Sequence, residues 1–158
     1  MMCCIDKCLV VWNLDRVVNV CRERCGGQGF LACNRFGEYL AITHAAMTAE
    51  GDNRVLMIKI VKDMMTNIQS KKSQLPKLKY CPKNQLPQLM DVLQLDYLLD
   101  LLKYREVTLF NQLTTFLHKR TKEDKANPFE VLMFESSDAV QNLAQAYGER
   151  QALEFCID

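Results

Sequence analysis

Glycines at positions 26, 27 and 29 lie in the run Cys21-Arg22-Glu23-Arg24-Cys25-Gly26-Gly27-Gln28-Gly29-Phe30. They leave backbone N–H groups uncovered by a Cβ, so a phosphate or pyrophosphate can approach them closely. No strand-like segment precedes the run and no Lys-Ser/Thr follows it, which separates it from a dinucleotide fingerprint and from a P-loop. The same glycines also serve simply to stop a helix. A second segment is Thr48-Ala49-Glu50-Gly51-Asp52-Asn53. Glu50 stands between two small residues, Ala49 and Gly51, that let another molecule come within contact distance. A carboxylate placed there can act as a general base, or it can cap the helix that follows. The eight cysteines are a third candidate. Cys4 and Cys8, like Cys21 and Cys25, are spaced i,i+4, but Cys33, His44, Cys81 and His118 do not supply the second ligand pair of a zinc site. No metal site is expected, and the thiols are expected to be reduced and buried as small hydrophobes.

The elements that must position these residues read as helices. Ile5, Leu9, Trp12, Val17 and Val20 to Cys21 recur with a period nearer 3.6 than 2. That helix should stop at Gly26-Gly27, with Arg22 and Arg24 favouring the negative end of its dipole. Asn34 to Ala46 suits a short helix. Val55 through Ile68 forms an amphipathic one, with Asp52 or Asn53 as its natural N-cap. Residues 69–88 carry Lys71, Lys72, Lys77, Lys79 and Lys83 among Pro76, Pro82 and Pro87, the composition of a solvated linker. Helical spacing resumes from Leu89 through Tyr104 and Val107 to Leu117, and the charged run Lys119 to Lys125 breaks it. A last helix should begin after Asn127-Pro128 and continue through Val131, Phe134, Ala139, Leu143, Ala146 and Leu153.

The expected fold class is therefore all-α. Residues 1–68 form part of one helical bundle, 69–88 a linker, and 89–158 part of a second helical domain. With 158 residues, 49% hydrophobic and 25% charged, the composition is that of one domain or two small ones. Lys+Arg 20 against Asp+Glu 19 leaves a net charge of +1, which gives no footprint for nucleic acid or an anionic membrane. Asp6, Lys7, Asp15 and Arg16 interrupt the most apolar stretch well short of the roughly 18 to 20 residues that span a bilayer. The N-terminus lacks the pattern of a secretory signal, so the chain reads as soluble. Both ends fall within amphipathic helical patterns, so the fold is expected to be cut at both.

Taken together, the glycine-rich segment, Asn34-Arg35-Phe36-Gly37, the Glu50 segment and the apolar helix after it resemble the C-terminal helical region of the peroxisomal acyl-CoA oxidases, flavoenzymes of the acyl-CoA dehydrogenase superfamily. The resemblance is dense from about Arg16 to Met65. It resumes from Ala139 to Leu153, where Val140-Gln141, Leu143-Ala144, Ala146-Tyr147 and Glu149-Arg150 look like a helix of the family's second helical domain. It implies oxidation of acyl-CoA to trans-2-enoyl-CoA, with O2 reduced to hydrogen peroxide and FAD as cofactor. By the same resemblance Glu50 is the catalytic base, and Gly51 keeps the approach of substrate open. Gly26, Gly27 and Gly29 would contact the ADP part of FAD, often that of a neighbouring subunit of a homodimer, while Asp52 and Asn53 would lie against the flavin. Arg22 and Arg35 read as structural ion-pair residues. Ala49 departs from the family pattern, in which an aromatic residue commonly precedes the base. The implied location is the peroxisome, although Phe155-Cys156-Ile157-Asp158 is not a Ser-Lys-Leu type address. The alternative is a short, non-catalytic helical interaction protein that pairs with a full-length oxidase subunit, which an exposed apolar face on the first helix would favour.

Family members are several times longer, and their β-domain helps to bind flavin and CoA. Catalysis requires base, thioester and flavin in one preorganised geometry, of which these residues supply one wall. The 158-residue polypeptide alone is therefore predicted neither to retain FAD nor to oxidise acyl-CoA. Flavin absorption bands in the purified chain, together with acyl-CoA-dependent peroxide formation, would contradict this.

Overall fold

The computed structural model describes residues 1–78 and 94–157. Every regular element among them is helical, as the spacing predicts. The long helices are α1 (Met2–Arg24), α2 (Phe36–Thr48), α3 (Asn53–Gln69), α4 (Leu95–Lys122) and α5 (Ser137–Ile157). Short 3-10 segments at Gly26–Phe30 and Ala32–Asn34 link α1 to α2, and a single turn at Pro128–Glu130 followed by a π turn at Val131–Glu135 links α4 to α5. The chain clusters into two compact units, Met1–Met57 and Ile58 onward. Residues 74–78 have no regular structure, while 79–88 of the expected linker and 89–93 of the expected next helix lie outside the described residues. Among the described residues, no helix is long and apolar enough to cross a membrane.

In the first unit α1 packs on α2. Its buried line is Ile5, Cys8, Val11 and Val18, spaced so that one helical face carries all four. Asp15 belongs to the same line and fixes which face turns inward. Its Oδ1 lies 3.3 Å from the hydroxyl of the buried Thr43 and 3.1 Å from His44 Nε2, both on α2. Val17 and Val20, part of the apolar period read in the sequence, are 47% and 46% exposed, with Val10 and Leu14 uncovered beside them. The thiols also differ from expectation. Cys8 is buried and Cys4 half-buried, but Cys3, Cys21, Cys25, Cys33 and Cys156 are exposed, with nothing covering them among the described residues; Cys81 lies outside those residues. Among the described residues no group of three or more His, Cys, Asp or Glu is placed to hold a metal ion.

In the second unit α4 and α5 form an antiparallel hairpin: Arg105 and Glu106, in the first half of α4, pair with Glu149 and Arg150 in the second half of α5, while Arg120 at the end of α4 pairs with Glu135 just before α5. Its apolar core includes Leu99, Phe110, Leu113, Val140, Leu143 and Tyr147. Arg150 crosses this core, donating to Glu106 and to Glu154 at 2.5 Å each, with its guanidinium 5.3 Å from the Tyr147 ring centroid. Burial pushes the Glu106 carboxyl up against the pull of Arg150. At the other end Arg120 grips both Glu135 oxygens, at 2.7 and 2.9 Å, and its hydrogen bonds hold that carboxyl below its ordinary range.

The last helix starts where the sequence suggests and then departs from it. Asn127 Oδ1 accepts from the Phe129 N–H, and Pro128 occupies the first turn. The helix does not run on continuously to Leu153, because Ser136 breaks it. Its N–H and its hydroxyl both lie 2.9 Å from Val131 O, five residues back, which opens the α turn into a π turn. Phe134, part of the apolar pattern read for this helix, is rotated out and is 74% exposed.

Replacing Arg150 by Met leaves the Glu106 carboxylate buried without its partner and should cost the second unit about 3–5 kcal/mol. Arg105→Met, at the half-exposed neighbouring pair, should cost at most about 1 kcal/mol. Urea unfolding followed by circular dichroism separates the two.

Candidate functional site

Glu50 sits in the turn between α2 and α3. Ala49 is extended, Glu50 has φ +59° and Gly51 has φ +105°, so two successive left-handed residues reverse the chain. Glycine is needed at 51 twice over. An L side chain rarely adopts that φ, and a Cβ there would press on the Leu56 side chain at 3.3 Å. Glu50 has no such freedom, and holding a glutamate in the left-handed region costs about 1–2 kcal/mol. Its side chain is exposed. Asp52 then caps α3: its Oδ1 accepts from the N–H groups of Arg54 and Val55 at 2.9 and 3.2 Å, and its carbonyl from Leu56 N–H at 2.9 Å.

A residue that the sequence pattern did not single out holds this turn. The Lys7 ammonium on α1 donates to Met47 O at 3.2 Å, to Gly51 O at 2.8 Å and to Asn53 Oδ1 at 2.6 Å. Cys8, next along α1, points its thiol at Asn53 O at 3.5 Å, and burial pushes that thiol up, which keeps the S–H in place to donate. Asn53 is thus turned into the unit, 2% exposed, with its amide nitrogen buried and unpartnered. The available signal for Lys7 was its position beside the inward line of α1, three residues after Cys4 and four before Val11.

The glycine run lies at the other end of α1. Cys25 ends the helix and Gly26, at φ +56°, turns the chain out of it, as the two glycines predict. The three glycines do different things. A Cβ on Gly26 or Gly27 would meet nothing within 4 Å, so their backbone is open. A Cβ on Gly29 would fall 2.1 Å from the carbonyl oxygen of Arg22, so its bare Cα lets the loop close against α1. Gln28 O accepts from Asn34 Nδ2 at 2.6 Å and from the Leu31 N–H at 3.2 Å, which stiffens the loop. Arg35 pairs with Glu38 at 2.8 Å, the structural role expected of it. Arg22 lies fifteen positions along α1 from Lys7, about 22 Å at the α-helical rise. The structure therefore brings Glu50, Gly51, Asp52 and Asn53 together and keeps them far from Gly26, Gly27 and Gly29.

Residues 1–65 match the family model described as acyl-CoA oxidase, C-alpha1 domain. Acyl-coenzyme A oxidase 2, peroxisomal, of Arabidopsis thaliana is 39% identical over 65 residues, which is 41% of this chain and 9% of that protein. Human peroxisomal acyl-coenzyme A oxidase 3 is 41% identical over 52 residues, 33% of this chain and 7% of that protein. A weaker match, 23% over 152 residues, covers 84% of this chain and 23% of peroxisomal acyl-coenzyme A oxidase 1 of Bos taurus. The chain thus spans under a quarter of the length of each of these relatives. No solved structure matches it.

Two alanine substitutions test the division of labour among the glycines. Gly29→Ala should destabilise the first unit by about 3 kcal/mol through overpacking, whereas Gly27→Ala should stay within about 0.5 kcal/mol of the parent, as an open surface position does. Thermal unfolding of each variant reads the difference.

Proposed function

Because the chain is related to the acyl-CoA oxidases through residues 1–65, we propose that it is a piece of an FAD-dependent acyl-CoA oxidase in which Glu50 is the base that removes the α-proton of an acyl-CoA. The observation that carries this reading is the exposed Glu50 carboxylate, held on left-handed backbone beside a glycine in the matched segment. A bound acyl chain that covers Glu50 would exclude water from the carboxylate and hold it against the thioester's α-carbon, within reach of the proton it removes. The backbone N–H of Glu50 is placed by the same reading to donate to the thioester carbonyl and to stabilise the developing enolate. Bound flavin would accept the β-hydrogen as hydride and pass the electrons to O2, giving trans-2-enoyl-CoA and hydrogen peroxide.

The residues present fit such a cofactor in part. Gly26 and Gly27 offer open backbone that a pyrophosphate can reach, while Gly29 is spent on packing against Arg22. Asp52 reaches the site as a helix cap and Asn53 through its hold on Lys7, so both shape the turn beneath Glu50. The length of α1 between the glycine run and Glu50 agrees with their serving different parts of a flavin, or the flavins of two subunits of a homodimer. The peroxisomal names of the relatives support a peroxisomal setting for this chain.

The second reading, a helical module that pairs with a full-length oxidase subunit, is favoured by one observation: Val10, Leu14, Val17 and Val20 lie 43–64% exposed along α1. The two readings separate on the mass of the native protein in its source cells, detected with peptides covering Gly26 to Asn53. A product several times heavier than 18.3 kDa supports the enzyme. In that product Glu50→Gln should then lower acyl-CoA-dependent peroxide formation by about 100-fold or more. A product near 18.3 kDa supports the module, and an unimpaired Glu50→Gln variant of the heavier product removes Glu50 as its base.

A further inference from the structure

We infer that Lys7 is the positioning residue for Glu50, an assignment that rests on reading Glu50 as the base. An ammonium has three hydrogens, and here each has an acceptor: Met47 O, Gly51 O and Asn53 Oδ1, at 3.2, 2.8 and 2.6 Å. The acceptors bracket Glu50 in sequence, one three residues before it and the others one and three residues after it. Met47 O lies in the last turn of α2, where carbonyls have lost their helical donors and a cation is favoured by the dipole. Gly51 O belongs to the second residue of the left-handed pair, and Asn53 Oδ1 to the first residue of α3. Lys7 thus spans the reversal from both sides, and the conformation of residues 49–52 is fixed from α1, more than 40 residues away in sequence. The Cys8 thiol on Asn53 O adds a second tie from the same turn of α1.

Arginine is a poor substitute, because a planar guanidinium cannot turn its N–H groups onto three acceptors converging on one point. Methionine keeps the aliphatic reach of Lys7 and removes every donor. The loss should be local: in Lys7→Met the amides of Ala49, Arg54, Val55 and Leu56, which are hydrogen-bonded in the parent, should exchange about 10-fold faster or more, while amides of α4 keep their rates. Lys7→Arg should fall between the two, and it decides the matter by the same readout if the Met variant does not fold.

Hydrogen exchange on the full chain needs no activity, so it tests the clamp separately from the chemistry. Unchanged exchange at Ala49 to Leu56 in both variants overturns the inference. In the native oxidase assay, Lys7→Met should lower kcat about 10-fold with KM held within about twofold, the signature of a misplaced base rather than of lost substrate binding. Faster exchange with unchanged kcat, where Glu50→Gln is inactive, also overturns it, since the turn would then be loosened without moving the base. Faster exchange where Glu50→Gln is fully active leaves the clamp standing and removes the role of Glu50.

Discussion

A charged group drawn into a helical packing face must find a partner for every hydrogen or lone pair it takes out of water, and both units of this chain are organised around that requirement. In the first, the half-buried Lys7 meets it with three acceptors that lie on either side of one turn. In the second, Arg150 meets it with Glu106 on α4 and Glu154 on its own helix, under the Tyr147 ring. Neither arrangement tolerates sliding. A shift of α2 or α3 along α1 would strand an ammonium, and a shift of α5 along α4 would strand a guanidinium. Apolar stripes pull helices together but are nearly indifferent to small displacements, whereas these charges select one register.

The parts of the fold that were legible in the sequence are those set by chemistry within a few residues. Gly26-Gly27 ends α1, Asp52 caps α3 and Asn127-Pro128 opens the turn before α5, each through backbone groups close by. Two things were not legible because their causes are remote or compete with a repeating pattern. The apolar period of α1 does not say which of its apolar residues turn inward; the contacts of Asp15 with Thr43 and His44, some 28 residues on, lie on the inward face and Val17 and Val20 off it. The π turn depends on Ser136 outbidding the α pattern for Val131 O, and a single helical period drawn across it buries Phe134.

At the candidate site the residue types could be read but not their division of labour. Three glycines in one run invite one explanation, yet Gly26 and Gly27 offer open backbone while Gly29 is a packing residue set against Arg22. Asp52 and Asn53 are adjacent and similar, yet one faces outward as a cap and the other inward as an acceptor for Lys7. Spacing cannot separate such neighbours, because the distinction lies in what the first helix presents to them. Glu50 was legible as a carboxylate between small residues; that it stands on left-handed backbone was not.

That conformation has a consequence for how the chain drifts. Glycine or asparagine would occupy position 50 more comfortably than glutamate, so the carboxylate is kept there against the fold's own preference. The turn is a place where this protein lies away from its stability optimum, and the way back is a single residue change. A lineage that no longer needs the carboxylate has a downhill route to losing it, whereas a lineage that keeps it carries the thermodynamic cost of doing so in every copy it folds.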